Sequence, residues 1–317
     1  MRAVDRMIEV EDLKVYYKSV LGDYKPVDGV SFTVNANEVF GLAGESGCGK
    51  STFVEGILRL VKPPGYIKSG KVIFKDQDLL SLKDISDLRW KEISYIPQGS
   101  MNSLNPVLRI EEQMIDAVTS HVDIAETEAR EMVLSNLKEV GLPIDVARMY
   151  PHELSGGMKQ RVVIAAATLL KPSLVVADEP VTALDVVVQR SIIQSIAELR
   201  DKFGMTVIFV AHDLAAHAEL VDRIAIMYAG KIMEIGSVHD VFLDPLHPYS
   251  KLLIAAVPSL KKKVVKGIPG LPPSPLNWPV GCRFHPRCPQ AFAKCSEELP
   301  SFEEVETGRF VACYLCR

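Results

Sequence analysis

The chain has no long hydrophobic run. Its longest largely apolar stretch, Val162 to Leu170, is bounded by Arg161 and Lys171, far short of the ~20 residues a membrane-spanning helix requires. It has no excess of positive charge either. The 36 lysines and arginines stand against 40 aspartates and glutamates, a net charge of −4, which argues against a protein whose main business is coating nucleic acid. The opening residues, Met1-Arg2-Ala3-Val4-Asp5-Arg6, alternate charged and apolar types and lack the apolar core of a signal peptide. Cysteine is nearly missing over most of the length: only Cys48 lies in the first 281 residues. A secreted fold held by disulfides would scatter pairs throughout, so a cytosolic chain is expected. What remains is ordinary globular composition, 48% hydrophobic and 24% charged over 317 residues. That excludes a disordered or fibrous protein and allows one large domain or two.

The first quarter reads as short strands and turns. Ile8 to Tyr17 and Gly29 to Val34 alternate, and Val39-Phe40-Gly41-Leu42-Ala43 has the continuous apolar character of a buried strand. A helix is expected from Lys50 to about Leu60, ended by Lys62-Pro63-Pro64-Gly65. Residues from Ile110 to Val140 carry a helical period, with Ala129, Met132, Val133, Leu137 and Val140 on one face and a cap at Asp123 and Glu126. Beyond Gly156 the pattern is helix to Leu170, strand Leu174–Ala177, helix Val186–Phe203 and strand Thr206–Val210, the alternation of a parallel sheet with crossover helices.

Three segments carry chemistry. Gly44-Glu45-Ser46-Gly47-Cys48-Gly49-Lys50-Ser51 fits G-x-x-x-x-G-K-[ST], between a strand and a helix. Its glycines let backbone N–H groups turn onto an anion, Lys50 reaches the β- and γ-phosphates, and the Ser51 hydroxyl ligates Mg²⁺. Leu174 to Glu179 is an apolar strand ending in two acids. Asp178 is placed to hold Mg²⁺ and Glu179 to polarise the attacking water. The third segment, Leu154-Ser155-Gly156-Gly157-Met158-Lys159-Gln160-Arg161, is a second anion-binding helix start.

At these motifs the sequence resembles the ATP-binding cassette (ABC) ATPases. The third segment matches their signature motif, Gln98 their Q-loop, Ala183-Leu184-Asp185 their D-loop and His212 their switch histidine contacting γ-phosphate. The resemblance implies an α/β P-loop ABC fold with an N-terminal antiparallel β subdomain, a helical subdomain near 98–165 and a small Cys-rich C-terminal extension. The ATPase domain is expected over 1–243 and the extension over 244–317. ATP is then expected on the cradle from Gly44 to Thr52 with Gln98, an aromatic at Tyr17 (or its neighbour Tyr16) stacking on adenine. Mg²⁺ is expected on Ser51, Gln98 and Asp178, with Glu179 and His212 catalytic. Ser155, Gly156, Gly157 and Met158 are expected to contact ATP held by a partner subunit.

A closer likeness follows from Ser100 to Pro106, from Pro245-Leu246-His247-Pro248-Tyr249-Ser250, from Ile268 to Pro272 and from Gly281 to Pro289. Together these resemble the ATPase subunits of dipeptide and oligopeptide importers, a subfamily that also contains oligosaccharide and nickel importers. The resemblance implies a peripheral ATPase on the cytoplasmic face of the membrane. It would pair with a paralogous ATPase (or with its own copy in isolation), dock two transmembrane permeases and be fed by an extracellular substrate-binding protein, without nucleic acid. The mobile-looking residues from Gln98 to Asn105, with helices near 110–150, are expected to receive the permease. A soluble cassette ATPase working on nucleic acid or ribosomes is the rival, but one cassette, no sustained heptads and negative net charge disfavour it.

The tail is distinct. Eight of the 20 prolines fall between Pro258 and Pro289, a basic run Lys261-Lys262-Lys263 opens the segment, and Cys282, Cys288, Cys295, Cys313 and Cys316 crowd the last 36 residues. Such a core-poor segment needs a staple. In the resembling family the counterparts of Cys282, Cys288, Cys295 and Cys313 hold a [4Fe–4S] cluster in some members; Cys316 competes for the fourth place, and a Cys₄ Zn²⁺ site is the alternative. With no catalytic motif nearby in sequence, its expected role is structural. Cys48 is expected to be a small apolar filler.

Overall fold

In the computed structural model the described residues are 5–257 and 267–316. The basic run Lys261–Lys263 and Met1 to Val4 lie outside them. The chain divides into two compact units: Met1–Asn35, Phe40–Ser81 and His212–Arg317 form one, Ala36–Val39 and Leu82–Ala211 the other.

In the first unit, a four-stranded antiparallel sheet is built from Gly22–Asn35, Arg6–Ser19, Gly65–Phe74 and Gln77–Asp78, in that order. Its strands bury Leu13 and Val15 on one strand and Val30, Phe32 and Val34 on the next, as their period of two demands. The same unit lays Val39–Ala43 parallel to Arg223–Tyr228, which pairs antiparallel with Lys231–Ser237. The tail adds the hairpin of Glu303–Glu306 and Arg309–Val311 to the far edge of Lys231–Ser237. The extension is thus held by strand addition and by Phe284, fully buried against Tyr228 and Tyr249 at 5.3 Å from each ring. A metal staple is not its sole anchor.

In the second unit Ile93–Ile96, Leu174–Asp178 and Thr206–Val210 run parallel with Leu174–Asp178 central. Every residue of the latter two strands is buried. The helix Val186–Phe203 crosses between them, capped by Asp185 (Oδ1 accepts from the Val187 and Val188 amides at 3.1 and 3.0 Å) and stopped by left-handed Gly204. The helical period read over 110–140 is two helices, Ile110–Thr119 and Glu126–Glu139. Asp123 does not cap the second. Its N-cap is Ala125, with no side-chain cap bond.

Candidate active site

The loop expected to cradle phosphate belongs to the first unit. The buried strand Val39–Ala43 delivers the chain into a loop that only glycine can follow at two points. At Gly44 a Cβ would stand 2.1 Å from the Met227 carbonyl oxygen; at Gly49, with φ of +111°, it would stand 2.0 Å from that of Pro26. Helix Lys50–Ile57 then starts without a side-chain cap, leaving first-turn N–H groups available to an anion. The Lys50 ammonium is buried and donates to the carbonyls of Gly44 and Glu45 at 2.8 and 3.1 Å. Loop oxygens thereby hold the cation at the mouth of the cradle. Cys48 is buried, which pushes its thiol pKa up and leaves it an inert filler.

Of the two candidate aromatics, Tyr16 is buried and donates to Asp28 at 2.6 Å, while Tyr17 is half-buried on the first turn's flank, its hydroxyl 3.3 Å from Glu55 Oε2. Its partial exposure leaves Tyr17 a face to offer. His212 is exposed, and the following Asp213 caps Leu214–Leu220 through the Ala215 amide at 2.8 Å.

The acids and the signature belong to the second unit. Asp178 is 1% exposed at the end of its strand. Glu179 takes a left-handed backbone, φ 51°, locked by its amide donating to the Val210 carbonyl at 2.8 Å. A non-glycine residue in that region is strained, and here the strain turns the carboxylate to meet Gln98. The Gln98 Nε2 donates to Glu179 Oε2 at 2.9 Å, and the Thr182 hydroxyl donates to the same oxygen at 3.0 Å. Residues 81 positions apart in sequence are thus brought together.

From Gln98 the chain enters a 3-10 turn, Ser100–Ser103, whose Ser100 hydroxyl donates to the buried Gln160 on the signature helix at 3.2 Å. That helix, Gly156–Thr168, is capped by Ser155, whose Oγ accepts from Met158 N at 3.3 Å. Its two glycines differ. A Cβ on Gly157 would lie 2.7 Å from Val188 Cγ1, whereas one on exposed Gly156 would meet nothing nearer than 3.5 Å. Asn105 is less free than its loop-like sequence suggested: Gln113 accepts from its amide at 2.7 Å and donates to its carbonyl at 3.1 Å. Val107 and Leu108, just beyond, stand exposed.

In the tail Cys282, Cys288, Cys295 and Cys313 line one small cavity, with Cys316 outside it, its thiol 3.5 Å from the Leu246 carbonyl. Burial and mutual proximity push Cys282 up to about 11 and raise Cys288. Four cysteines on one cavity supply the donor type of a four-thiolate centre. Among the described residues, however, no three His, Cys, Asp or Glu side chains converge as a ready-made metal site.

Arg287, Arg283 and Tyr249 escaped the sequence reading. Arg287, adjoining Cys288, forms a two-pronged pair with Glu45 of the cradle, at 2.7 and 3.0 Å. A catalytic motif therefore does lie beside the tail, contrary to expectation. Arg283 pairs with Asp28. A lone arginine in a proline-rich stretch carries no local signal of a partner over 240 positions away.

Residues 27–182 match the ABC transporter family, and residues 233–295 match the family described as oligopeptide/dipeptide transporter, C-terminal region. The chain is 43% identical to the dipeptide transport ATP-binding protein DppD of Caldanaerobacter subterraneus subsp. tengcongensis, covering 98% of this chain and 97% of that one. It is 42% identical to the oligopeptide transport ATP-binding protein OppD of Escherichia coli, covering 98% and 93%. Among solved structures it is similar to the ATP-binding cassette MJ0796, a dimer in a post-hydrolysis state bound to ADP and Pi, with a TM-score of 0.66 and 27% identity over 73% of this chain and 99% of that one. With its motifs in family order and likeness of this extent along nearly its whole length, the chain belongs to the ABC transporter family, among the ATP-binding proteins that carry the oligopeptide/dipeptide transporter C-terminal region.

Proposed function

We propose that this chain hydrolyses ATP to drive import of di- or oligopeptides through a pair of membrane permeases. The observation that carries the catalytic half of this reading is the Gln98–Glu179 bond at 2.9 Å, made where the backbone of Glu179 is strained. A carboxylate held in this way is set to take a proton from water rather than to solvate freely. Lys50 and the loop amides from Gly44 to Gly49 bind the phosphates, and Tyr17 stacks on adenine. Ser51, Asp178 and Gln98 would hold Mg²⁺, which when bound neutralises phosphate charge. His212 orients the γ-phosphate. Exposed Ser155 and Gly156, on an uncrowded helix start, suit contact with ATP on a second cassette, either a paralogue or a copy. A catalytic domain over 1–243 with an extension over 244–317 fits this division of labour, and the tail thiols fit a [4Fe–4S] centre on Cys282, Cys288, Cys295 and Cys313 with Zn²⁺ as the rival. Exposed Val107 and Leu108 suit a permease contact, which supports a peripheral position on the inner membrane face.

The decisive experiment co-expresses the chain with its genomically adjacent permeases and ATPase, reconstitutes them in vesicles and supplies the neighbouring binding protein. ATP-dependent uptake of labelled dipeptide or oligopeptide is expected, with crosslinks from a cysteine placed at Val107 to a permease. Uptake of an oligosaccharide or of nickel in place of peptide would reassign the cargo; ATP turnover indifferent to permeases would replace transport altogether.

A further inference from the structure

Glu45 poses an electrostatic problem. It is the second residue of a loop that binds phosphate anions, and an unpaired carboxylate there would repel them. The structure answers it from the far end of the chain. Both Glu45 oxygens are taken by Arg287, Oε2 by Nη1 at 2.7 Å and Oε1 by Nη2 at 3.0 Å. The Arg287 side chain is 4% exposed and Glu45 24%. The guanidinium is itself fixed on three further sides: Nε donates to the Pro269 carbonyl at 2.8 Å, Nη1 to the Tyr228 hydroxyl at 3.2 Å and Nη2 to the Ile268 carbonyl at 3.4 Å. The backbone of Glu45 is held as well. Its amide donates to the hydroxyl of fully buried Tyr249 at 2.9 Å, and its carbonyl accepts from Lys50 at 3.1 Å.

We propose that Arg287 is a positioning residue for nucleotide binding: it neutralises Glu45 and fixes its carboxylate, so that the C-terminal extension sets part of the cradle's affinity for phosphate. A planar fork with five donors suits this task, since it can hold both carboxylate oxygens while spending its other N–H groups on anchors. Simple docking of the tail needs no link to the cradle; that work is already done by Phe284 and the added hairpin. The proposal rests on the reading that residues 44–51 bind the phosphates of ATP.

The test is equilibrium binding of Mg-ATP and Mg-ADP to the full-length protein as wild type, Arg287→Met, and Arg287→Met with Glu45→Gln. Arg287→Met is expected to weaken ATP about tenfold by like-charge repulsion. The loss should be smaller for ADP and should shrink as salt screens it. Removing the Glu45 charge in the same chain should recover most of the affinity. An unaltered affinity in Arg287→Met overturns the proposal, as does a defect that Glu45→Gln leaves in place, since Arg287 is then only a brace. If Arg287→Met does not accumulate folded, Arg287→Lys carries the test: it keeps the charge and should keep most of the affinity, and a tenfold loss refutes neutralisation. Failure of the wild type to bind ATP is a different result, which removes the ATPase reading itself.

Discussion

Glu179 shows what one residue's backbone can do. Its strained left-handed conformation, the Gln98 side-chain amide and the Thr182 hydroxyl aim one carboxylate oxygen at a fixed place. We expect Glu179→Gln to retain ATP binding, because Lys50 and the loop amides are untouched, and to lower turnover by roughly 10²–10⁴-fold. Single-turnover hydrolysis with the reconstituted complex checks this, and wild-type turnover would remove Glu179 from the role of base. Lys50, Gln98, Asp178 and Glu179 could be proposed from sequence because each belongs to a short motif whose spacing is dictated by a local strand or helix end. Tyr17 against Tyr16 could not, since adjacent residues of a strand face opposite sides and only the paired strands show that Tyr16 is the buried one.

At the scale of elements, the strands Val39–Ala43 and Thr206–Val210 and the helix Val186–Phe203 were readable to the residue, and Leu174–Asp178 to within one, because apolar runs and an Asp185 cap with Gly204 stop are local signals. The interruption between Thr119 and Glu126 was signalled only by the cap read at Asp123 and Glu126, because a continuous helical period survives a break when the second helix resumes on the same side. The signature helix yields a contrast that sequence could not supply. A Cβ on Gly157 would press on Val188 at 2.7 Å, whereas one on Gly156 would meet only ordinary contacts at 3.5 Å and beyond. Gly157→Ala should therefore overpack the helix pair and destabilise by about 1–3 kcal/mol, read as a lowered Tm of the isolated chain. Gly156→Asp should leave Tm within a degree or two, as surface changes do, yet suppress hydrolysis by the assembled pair, because its carboxylate would oppose phosphate held by the partner. Equal Tm losses in both would dissolve the distinction, and full hydrolysis by Gly156→Asp would remove Gly156 from the dimer contact.

At the scale of the whole molecule, the least legible feature is the tie between the cysteine tail and the cradle. Arg287 and Glu45 are 242 positions apart, and no periodicity or motif reports a pairing set only by how the extension packs on Tyr228 and Tyr249. That tie changes what loss of a thiol should do. Cys288 follows Arg287 directly, and its amide closes the short turn His285–Arg287 by donating to the His285 carbonyl at 3.3 Å. With the tail considered alone, Cys288→Ser would be expected to lose the metal and leave ATP binding intact. With Arg287 on the same turn, we expect both to suffer. Anaerobically purified wild type should carry about four irons per chain if the centre is [4Fe–4S], and Cys288→Ser should lose them and weaken Mg-ATP severalfold. Arg287→Met should weaken Mg-ATP yet keep its iron, since no thiol is touched. Iron analysis and ATP titration on the same three preparations decide it. One zinc per wild-type chain would change the metal without touching the coupling, whereas Cys288→Ser that loses its metal and binds ATP like wild type would show that the turn stays in place without it and that the tail and cradle are joined by Arg287 alone.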